Sequence, residues 1–597
     1  MNVVLLVIDA FDQKRIEETN YKITPNLERL LKRGVKFTNV YSQAPYTEAA
    51  LMSLYAGQNT LDNGGYMYRF GTAKKTIFEC FNEAGYEVFC NTHQPQVFPS
   101  SQRRGIDYLA YDRPYDFDVL WRYRLQHYSS VNREVGLSEK DINAIILFVQ
   151  DNFDEARLFL DGLDGDDESI RLLKNYDEKY DRAAARVFLD SEYKKFCDDK
   201  RRYCQEILTN GRDSRFFKMP VFMVGRYQLS NQMECLHDHE VRKLCKKILR
   251  KNIRRCLLRN GDFYRSLLRG LKLLLRKDGH EAFLKNMYMT KNSLVMTHLK
   301  RRYGPSSITL KEQPTFERLS NHFFDWLKCR PNKNRPFFAN IHVDDIHFPE
   351  IFYSVDSDDV SLVKKELAIA NETMKSIKGK GTVIHDLSLA YIDYHIGLFV
   401  DELDKLGMMD DTLVFVTADH GFSYGGFPIR QKDINTFYLE NFKIPFYVFG
   451  GTFRKTVIDS KLSSLDIPYT ICRLAGVNNP DSYKGLDAFK QERDVRFIEY
   501  CGGGCPDLDR REIMLAAFSS EKMLCFRFHL NDTFDWDKVT EVYNLSNDKL
   551  QKKNIVNSFD RSEFCSLFNA AEKRFGEIKS GNRHPILYSV RDSVDVF

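Results

Sequence analysis

Apolar and polar positions follow two different rhythms along this chain. The opening run, Asn2–Ile8, is aliphatic and β-branched with almost no polar interruption, the pattern of a strand covered on both faces in a parallel sheet. Thr412–Thr417 repeats that pattern, and residues 336–342 and 86–90 are further examples. Over 26–33, 76–84 and 387–406 the apolar residues instead recur every three or four positions, which predicts helices. Strand and helix signals in alternation predict a layered α/β domain. From about 115 to 325 the helical rhythm continues with few strand signals, so that stretch reads as a helical insertion. Beyond 490 short strands return at 495–499, 523–530 and 541–543, predicting a small α+β subdomain. The expected organisation is an α/β core in two parts, 1–114 and 326–489, interrupted by the insertion at 115–325 and followed by the subdomain at 490–597.

Composition narrows the class. With 43% hydrophobic and 29% charged residues in 597, and 32 Gly and 17 Pro, the chain is globular and neither disordered nor collagen-like. Its 13 cysteines are odd in number and follow no paired framework, which fits reduced thiols. No apolar run approaches the ~20 residues of a membrane span. The N-terminus has neither a basic leader nor a small-residue cleavage site. A cytoplasmic protein is the expectation. The net charge of +5 says little, but residues 241–279 carry fourteen basic residues against two acidic ones, with apolar residues at helical spacing between them. Such a stretch suits anionic lipid headgroups at the inner membrane face, or a polyanionic substrate, or else a solvated helical face. No motif for reading bases accompanies it, which disfavours nucleic acid.

Candidate chemistry clusters at strand ends. Asp9 closes the first strand, at the carboxyl edge where open α/β sheets place their ligands. Asp419 and His420 close another and are followed by Gly421. Thr47 stands at the head of an apolar helix at 49–55, where a hydroxyl is commonly an N-cap but can also face an anion or a metal. Two carboxylates and an imidazole suit one divalent ion, with Mn, Zn, Ca and Mg all admissible. Weaker signals are His237-Asp-His239, a second set of Asp344, Asp345, His385 and His395, the Cys501-Gly-Gly-Gly-Cys505 turn, and the acidic run at 161–168, which lacks calcium-loop spacing.

The order of these elements resembles the sulfatase branch of the alkaline phosphatase superfamily. NVVLLVIDA, TPNLERLLKRGVKFTNVYSQAP, TEAALMSLYAG and AYIDYHIGLFVDELDKLGMMDDTLVFVTADHG carry the likeness, which covers roughly 1–110 and 330–560. The resemblance implies an alkaline-phosphatase-like α/β/α core, a metal on Asp9, Asp419 and His420, and a nucleophile at Thr47. It further implies an active-site histidine at His347, a substrate-facing Lys432 with Arg430 nearby, and substrate contacts from Asn91 and His93, the latter close to where relatives carry a lysine. The departures matter as much. Sulfatases convert a Cys or Ser within Cys/Ser-x-Pro-x-Arg to formylglycine, whereas this chain has Thr47-Glu-Ala-Ala-Leu51, and Ala10 replaces a second early aspartate. Threonine at this point resembles the phosphoryl branches, the phosphoethanolamine and phosphoglycerol transferases among them. The expectation is a metal-dependent hydrolase or transferase acting on a phosphoester or phosphodiester through Thr47 and a phosphothreonine intermediate. Its substrate would be an anionic small molecule, a glycan-phosphate or a lipid-linked group. A catalytically silent anion- or glycan-binding protein is the alternative, with a true sulfuric ester hydrolase behind it.

Overall fold

The computed structural model describes residues 1–11, 13–62, 73–92, 103–110, 125, 129, 132, 136–137, 139–164, 182–218, 316–343, 345–346, 383–422, 437–501, 512–529 and 532–581. Its centre is β1 (Asn2–Ile8), whose residues from Val3 to Ile8 are all buried. Flanking it in parallel are β5 (Phe337–Val343) and β6 (Thr412–Thr417), with Val7 level with both His342 and Thr417. Outside β5 lie β3 (Glu87–Thr92) and β4 (Tyr108–Ala110), both parallel. On the other side β7 (Lys443–Gly450) runs antiparallel to β6 and to β2 (Gly34–Tyr41). The short β8 (Thr456–Ile458) and β9 (Leu462–Ser463) pair parallel to β2. The order is β4-β3-β5-β1-β6-β7-β2-β8, a mostly parallel sheet of nine described strands. This is the expected α/β core, and its uninterrupted apolar strands follow from burial on both faces.

Helices cover that sheet. α1 (Gln13–Glu18), α2 (Pro25–Leu31), α3 (Thr47–Ala56) and α4 (Ile77–Glu83) come from the N-terminal part. The Val383–Lys405 helix packs beside α2. One buried carboxylate makes that joint: Asp393 accepts from the backbone N–H of Asn26 (2.9 Å) and of Leu27 (2.7 Å), and from the Asn26 side-chain amide (3.0 Å). Thr24, the residue at the N-cap of α2, makes no side-chain cap, so a residue from a distant helix caps it instead. The fit also needs Gly397, one turn on from Asp393, because a Cβ there would lie 2.5 Å from the Asn26 Oδ1. The TPN segment and the D-x-x-x-G pattern are therefore two halves of one contact.

The helical insertion has a core of its own. Glu139–Asp164, Arg182–Asp198 and Lys200–Asn210 bring Phe153, Phe196, Tyr203 and Phe216 together, apart from the main core. The expected boundary at 325, however, cuts through the Phe316–Cys329 helix. That helix belongs to the α/β body, since Phe323 and Trp326 pack on Phe89 and Phe337 of the sheet. The C-terminal subdomain is an antiparallel sheet of β10 (Arg496–Cys501), β11 (Ile513–Phe518), β12 (Lys522–Phe528) and β13 (Val539–Asn544), with the Cys565–Gly581 helix against it. Among the described residues no helix is long and apolar enough to cross a membrane. The basic stretch at 241–279 lies outside the described residues.

The Asp393 joint generates a prediction. Burial, the largest effect, pushes its carboxyl up to about 6 against the pull of its three N–H donors. Asp393→Ala leaves those donors unmet and lowers unfolding free energy by ~1–3 kcal/mol in urea titrations. The pH dependence has a defined sign. Between about 6 and the ordinary 3.8 the native chain holds a proton that the unfolded chain does not, so the Asp393 contribution improves as pH falls through about 6. Urea midpoints of the wild type measured against Asp393→Asn from pH 7.5 to 5 should therefore converge upward for the wild type, and parallel curves would refute the assignment.

Candidate active site

Register alone brings the key acids together. Val7 of β1 is level with Thr417 of β6, and Asp9 and Asp419 each lie two residues further on, at the carboxyl edge of adjacent strands. The Asp9 N–H still pairs with the Val343 carbonyl at 2.8 Å, so the first ligand position is held by sheet hydrogen bonding. The chain then turns through Ala10 at φ +59°, a left-handed conformation that costs a non-glycine residue ~1–2 kcal/mol. That turn aims the Ala10 N–H at Asp419 Oδ1 (3.2 Å), which also accepts from the His420 N–H at 2.8 Å. Two backbone donors thus fix the Asp419 carboxylate. The sequence reading saw Ala10 only as a lost aspartate; its service is through the backbone, where side-chain identity gives no signal.

His420 is oriented by its neighbour. Its Nδ1 lies 2.8 Å from the Gly421 carbonyl, which can only accept, so Nδ1 carries the hydrogen. In the neutral ring Nε2 is then a lone pair, and it points at Asp9 Oδ1 (3.2 Å) and Asp419 Oδ2 (3.7 Å). Gly421 can be nothing larger, since a Cβ would meet the Glu440 and Lys443 carbonyl oxygens at 2.5 and 2.6 Å.

Asp9, Asp419 and His420 are all buried, with one ligand atom from each within 4.8 Å of the others. Burial first, and then the Asp9 charge, push Asp419 above its ordinary value. Acceptor faces acceptor in a site shut off from water, an arrangement that a cation between them relieves. Two carboxylate oxygens and an imidazole nitrogen whose other nitrogen is held by a carbonyl make a fitting donor set for a divalent metal.

Thr47 completes the cluster. It is buried, and it is the first residue of α3 rather than its cap; the capping position is Tyr46, in extended conformation and with no side-chain cap. The Thr47 Oγ1–H donates instead to Asp9 Oδ2 at 3.0 Å. The N-cap reading is thereby excluded. At this position the hydroxyl sits beside the first N–H groups of a ten-residue helix, a place that favours an anion. The loop before it is braced from far along the chain: the Tyr46 hydroxyl donates to the Cys501 carbonyl at 3.1 Å, and Tyr46 packs edge-on against Tyr500.

Only some of the other expected positions are among the described residues. Asn91 is buried at the end of β3, and its amide donates to the Leu319 carbonyl at 3.0 Å, which gives it an anchoring job for the Phe316–Cys329 helix that the sequence reading did not foresee. His93, His347, Arg430 and Lys432 lie outside the described residues, as do Asp344, His237, His239, Cys505 and the side chain of His385. Asp345 accepts from the Phe316 N–H at 2.7 Å and His395 packs on Tyr391, so these two have structural work. Among the described residues the Asp9, Asp419 and His420 group is the one set of three or more with metal-ligand geometry.

A family model described as Sulfatase matches residues 1–194 and 275–477. An ulvan-active sulfatase of Formosa agariphila is 21% identical over 206 residues, 32% of this chain and 40% of that protein. An arylsulfatase of Clostridium perfringens is 29% identical over 123 residues, 19% of this chain and 25% of that protein. The chain thus spans less than half the length of either curated relative. Among solved structures, a phosphonate monoester hydrolase from Silicibacter pomeroyi aligns over 98% of this chain and 96% of its own, at 13% identity and a TM-score of 0.47. With a family model matched over more than half of its length, the chain belongs to the sulfatase family.

Proposed function

We propose that this chain is a metal-dependent hydrolase or transferase of phosphoesters or phosphodiesters, with Thr47 as its nucleophile. One observation carries the proposal: at the position that the resemblance to sulfatases implies for formylglycine, a threonine Oγ1 is hydrogen-bonded to a buried carboxylate at a helix N-terminus. Formylglycine is an aldehyde on Cβ. The Cβ of threonine already bears a methyl group, so oxidation would stop at a ketone unless a carbon–carbon bond broke. The position can serve directly as an alcohol nucleophile.

Asp9, Asp419 and His420 would hold the divalent ion, Mn, Zn, Ca or Mg. When bound, that ion supplies charge neutralisation at the phosphoryl oxygens and favours the alkoxide form of a nearby hydroxyl. The chain's own residues do the rest. Asp9 aims the Thr47 oxygen through the 3.0 Å hydrogen bond, and the first turn of α3 offers N–H donors to phosphoryl oxygens. Attack passes the Thr47 hydroxyl proton to its hydrogen-bond acceptor, Asp9 Oδ2, forms the Oγ–P bond and breaks the bond from phosphorus to the ester oxygen, leaving a phosphothreonine. Water, or an acceptor hydroxyl in a transferase, then breaks Oγ–P and regenerates the alcohol. His347 is proposed to give the leaving oxygen its proton, and Lys432 and Arg430 to face the substrate anion, with His93 beside them.

A second reading, sulfate-ester hydrolysis, has support from the family match and from the sulfatase names of the two curated relatives. Turnover measurements separate the two. With metal supplied, aryl phosphate mono- and diesters or aryl phosphonates should be cleaved at least ~100-fold faster than aryl sulfate, a gap of ~2.7 kcal/mol in barrier. Preferred cleavage of aryl sulfate would overturn the phosphoryl reading. Thr47→Ala should lose at least ~10³-fold in kcat while keeping its metal. Retained activity in that variant would end the nucleophile assignment.

Metal content gives an independent expectation. Elemental analysis of the purified chain should find about one divalent ion per molecule. Because the loss of an outer partner alone typically weakens binding ~10–100-fold, removal of a direct ligand in Asp419→Ala or His420→Ala should weaken it more than ~100-fold. A chain that takes up no divalent ion and turns over no ester would match the silent binding alternative.

A further inference from the structure

His420 takes its orientation from Gly421, and Gly421 is held in turn by a stretch further along the chain. Leu439–Asn441 forms one short 3-10 turn. The Asn441 N–H closes it on the Tyr438 carbonyl at 2.9 Å, and the Phe442 N–H on the Leu439 carbonyl at 3.0 Å. The Asn441 carbonyl then accepts the Gly421 N–H at 2.9 Å. Just past the turn, the Phe442 carbonyl accepts the Ser42 N–H at 2.7 Å, at the head of the segment that leads to Thr47. One turn is thus bonded to the His420 segment on one side and to the Thr47 segment on the other.

The internal bonds of so short a turn fix its shape and leave its position to other contacts. Gln551, from the C-terminal subdomain, supplies two of them. Its Oε1 accepts the Leu439 N–H at 2.7 Å, and its Nε2 donates to the Phe437 carbonyl at 2.9 Å. A residue of a parallel strand offers its neighbour the same pair of bonds, and here one side-chain amide does it. Gln551 is buried, and its Nε2 also lies 3.4 Å from the Met523 Sδ of β12. Its backbone stands at φ +50°, a left-handed conformation that is costly for a residue with a Cβ. Such strain persists only where the surroundings over-determine it, and it gathers where a protein must hold something in place.

We propose that Gln551 is a positioning residue for His420 and, through it, for the divalent ion, an inference that rests on the metal role proposed above for Asp9, Asp419 and His420. The links are three hydrogen bonds in series. Gln551 holds the Leu439 N–H, the turn presents the Asn441 carbonyl to the Gly421 N–H, and the Gly421 carbonyl holds the His420 Nδ1–H. The last link is the one that leaves Nε2 as the nitrogen facing the two carboxylates. Gly421 transmits any movement of the turn because it is hemmed in by the Glu440 and Lys443 carbonyls as well as bonded to Asn441. A turn released from Gln551 shifts that glycine, and the imidazole loses its direction.

Cobalt(II) titrated into the chelator-treated full chain tests this, since its visible ligand-field bands report the geometry of the ligands around it. Gln551→Met keeps the length of the side chain and removes both hydrogen bonds to the turn. It should weaken cobalt binding at least ~10-fold and shift the visible bands of the bound ion. Gln551→Glu keeps an acceptor for the Leu439 N–H and gives up the donor to Phe437. It is the second variant should Gln551→Met not fold, and it should move affinity and bands in the same direction. Asp393→Ala controls for lost stability: it loosens a joint elsewhere in the core and should leave cobalt affinity within ~2-fold of the wild type. Unchanged affinity and bands in a folded Gln551 variant would overturn the positioning role while the metal site stands. So would an equal loss in Asp393→Ala, which would make the effect one of general stability. A wild-type chain that takes up no cobalt would overturn the metal reading itself, and the role of Gln551 with it.

Discussion

Everything at the carboxyl edge of the sheet depends on two carboxylates being forced to share a dry space. Asp9 and Asp419 leave neighbouring parallel strands at the same level, with the His420 Nε2 aimed at both. Such a cluster is unfavourable by itself, and sheet pairing, the Ala10 turn and the Gly421 carbonyl hold it in place against its own repulsion. The rigidity of the strands is what keeps these ionisable groups together within a marginally stable chain. Thr47 shares in that arrangement because its hydroxyl is tied to the same Asp9 carboxylate.

Much of this was legible in the sequence, for physical reasons. Strands buried on both faces leave an unbroken apolar run, and β1 and β6 have one; the polar residues that follow them are then conspicuous at the sheet edge. Asp9, Asp419 and His420 were found that way. β2 and β7 were harder. β7 contains Pro445, which argues against a central strand, and the structure accommodates it where the β2–β7 register shifts between Phe37 and Val40. The hydroxyl of Thr417 then makes use of the Pro445 carbonyl at 2.8 Å.

What the sequence could not show is work done by backbone or by distant partners. Ala10 acts through its N–H, Gly421 through its carbonyl and its missing Cβ, and Asn91 by bonding a helix that begins more than 200 residues later. The Phe316–Cys329 helix shows the same limit. Its apolar rhythm is indistinguishable from that of the insertion, and only its contacts with Phe89 and Phe337 assign it to the α/β body. Asp393 is a further case, a helix cap supplied from the far end of the core.

The brace on the loop before α3 has a consequence for how the protein comes into being. Tyr46 is held by the Cys501 carbonyl, and Leu61, just beyond α3, donates its N–H to Glu499, which Arg574 in turn grips. A chain emerging from the ribosome therefore carries Thr47 for most of its synthesis without the residues that steady it. Even the acid pair is incomplete until Asp419 has been made. The Thr47 hydroxyl and the contacts around it assemble only when nearly all of the described chain is out, so an unfinished copy lacks this cluster.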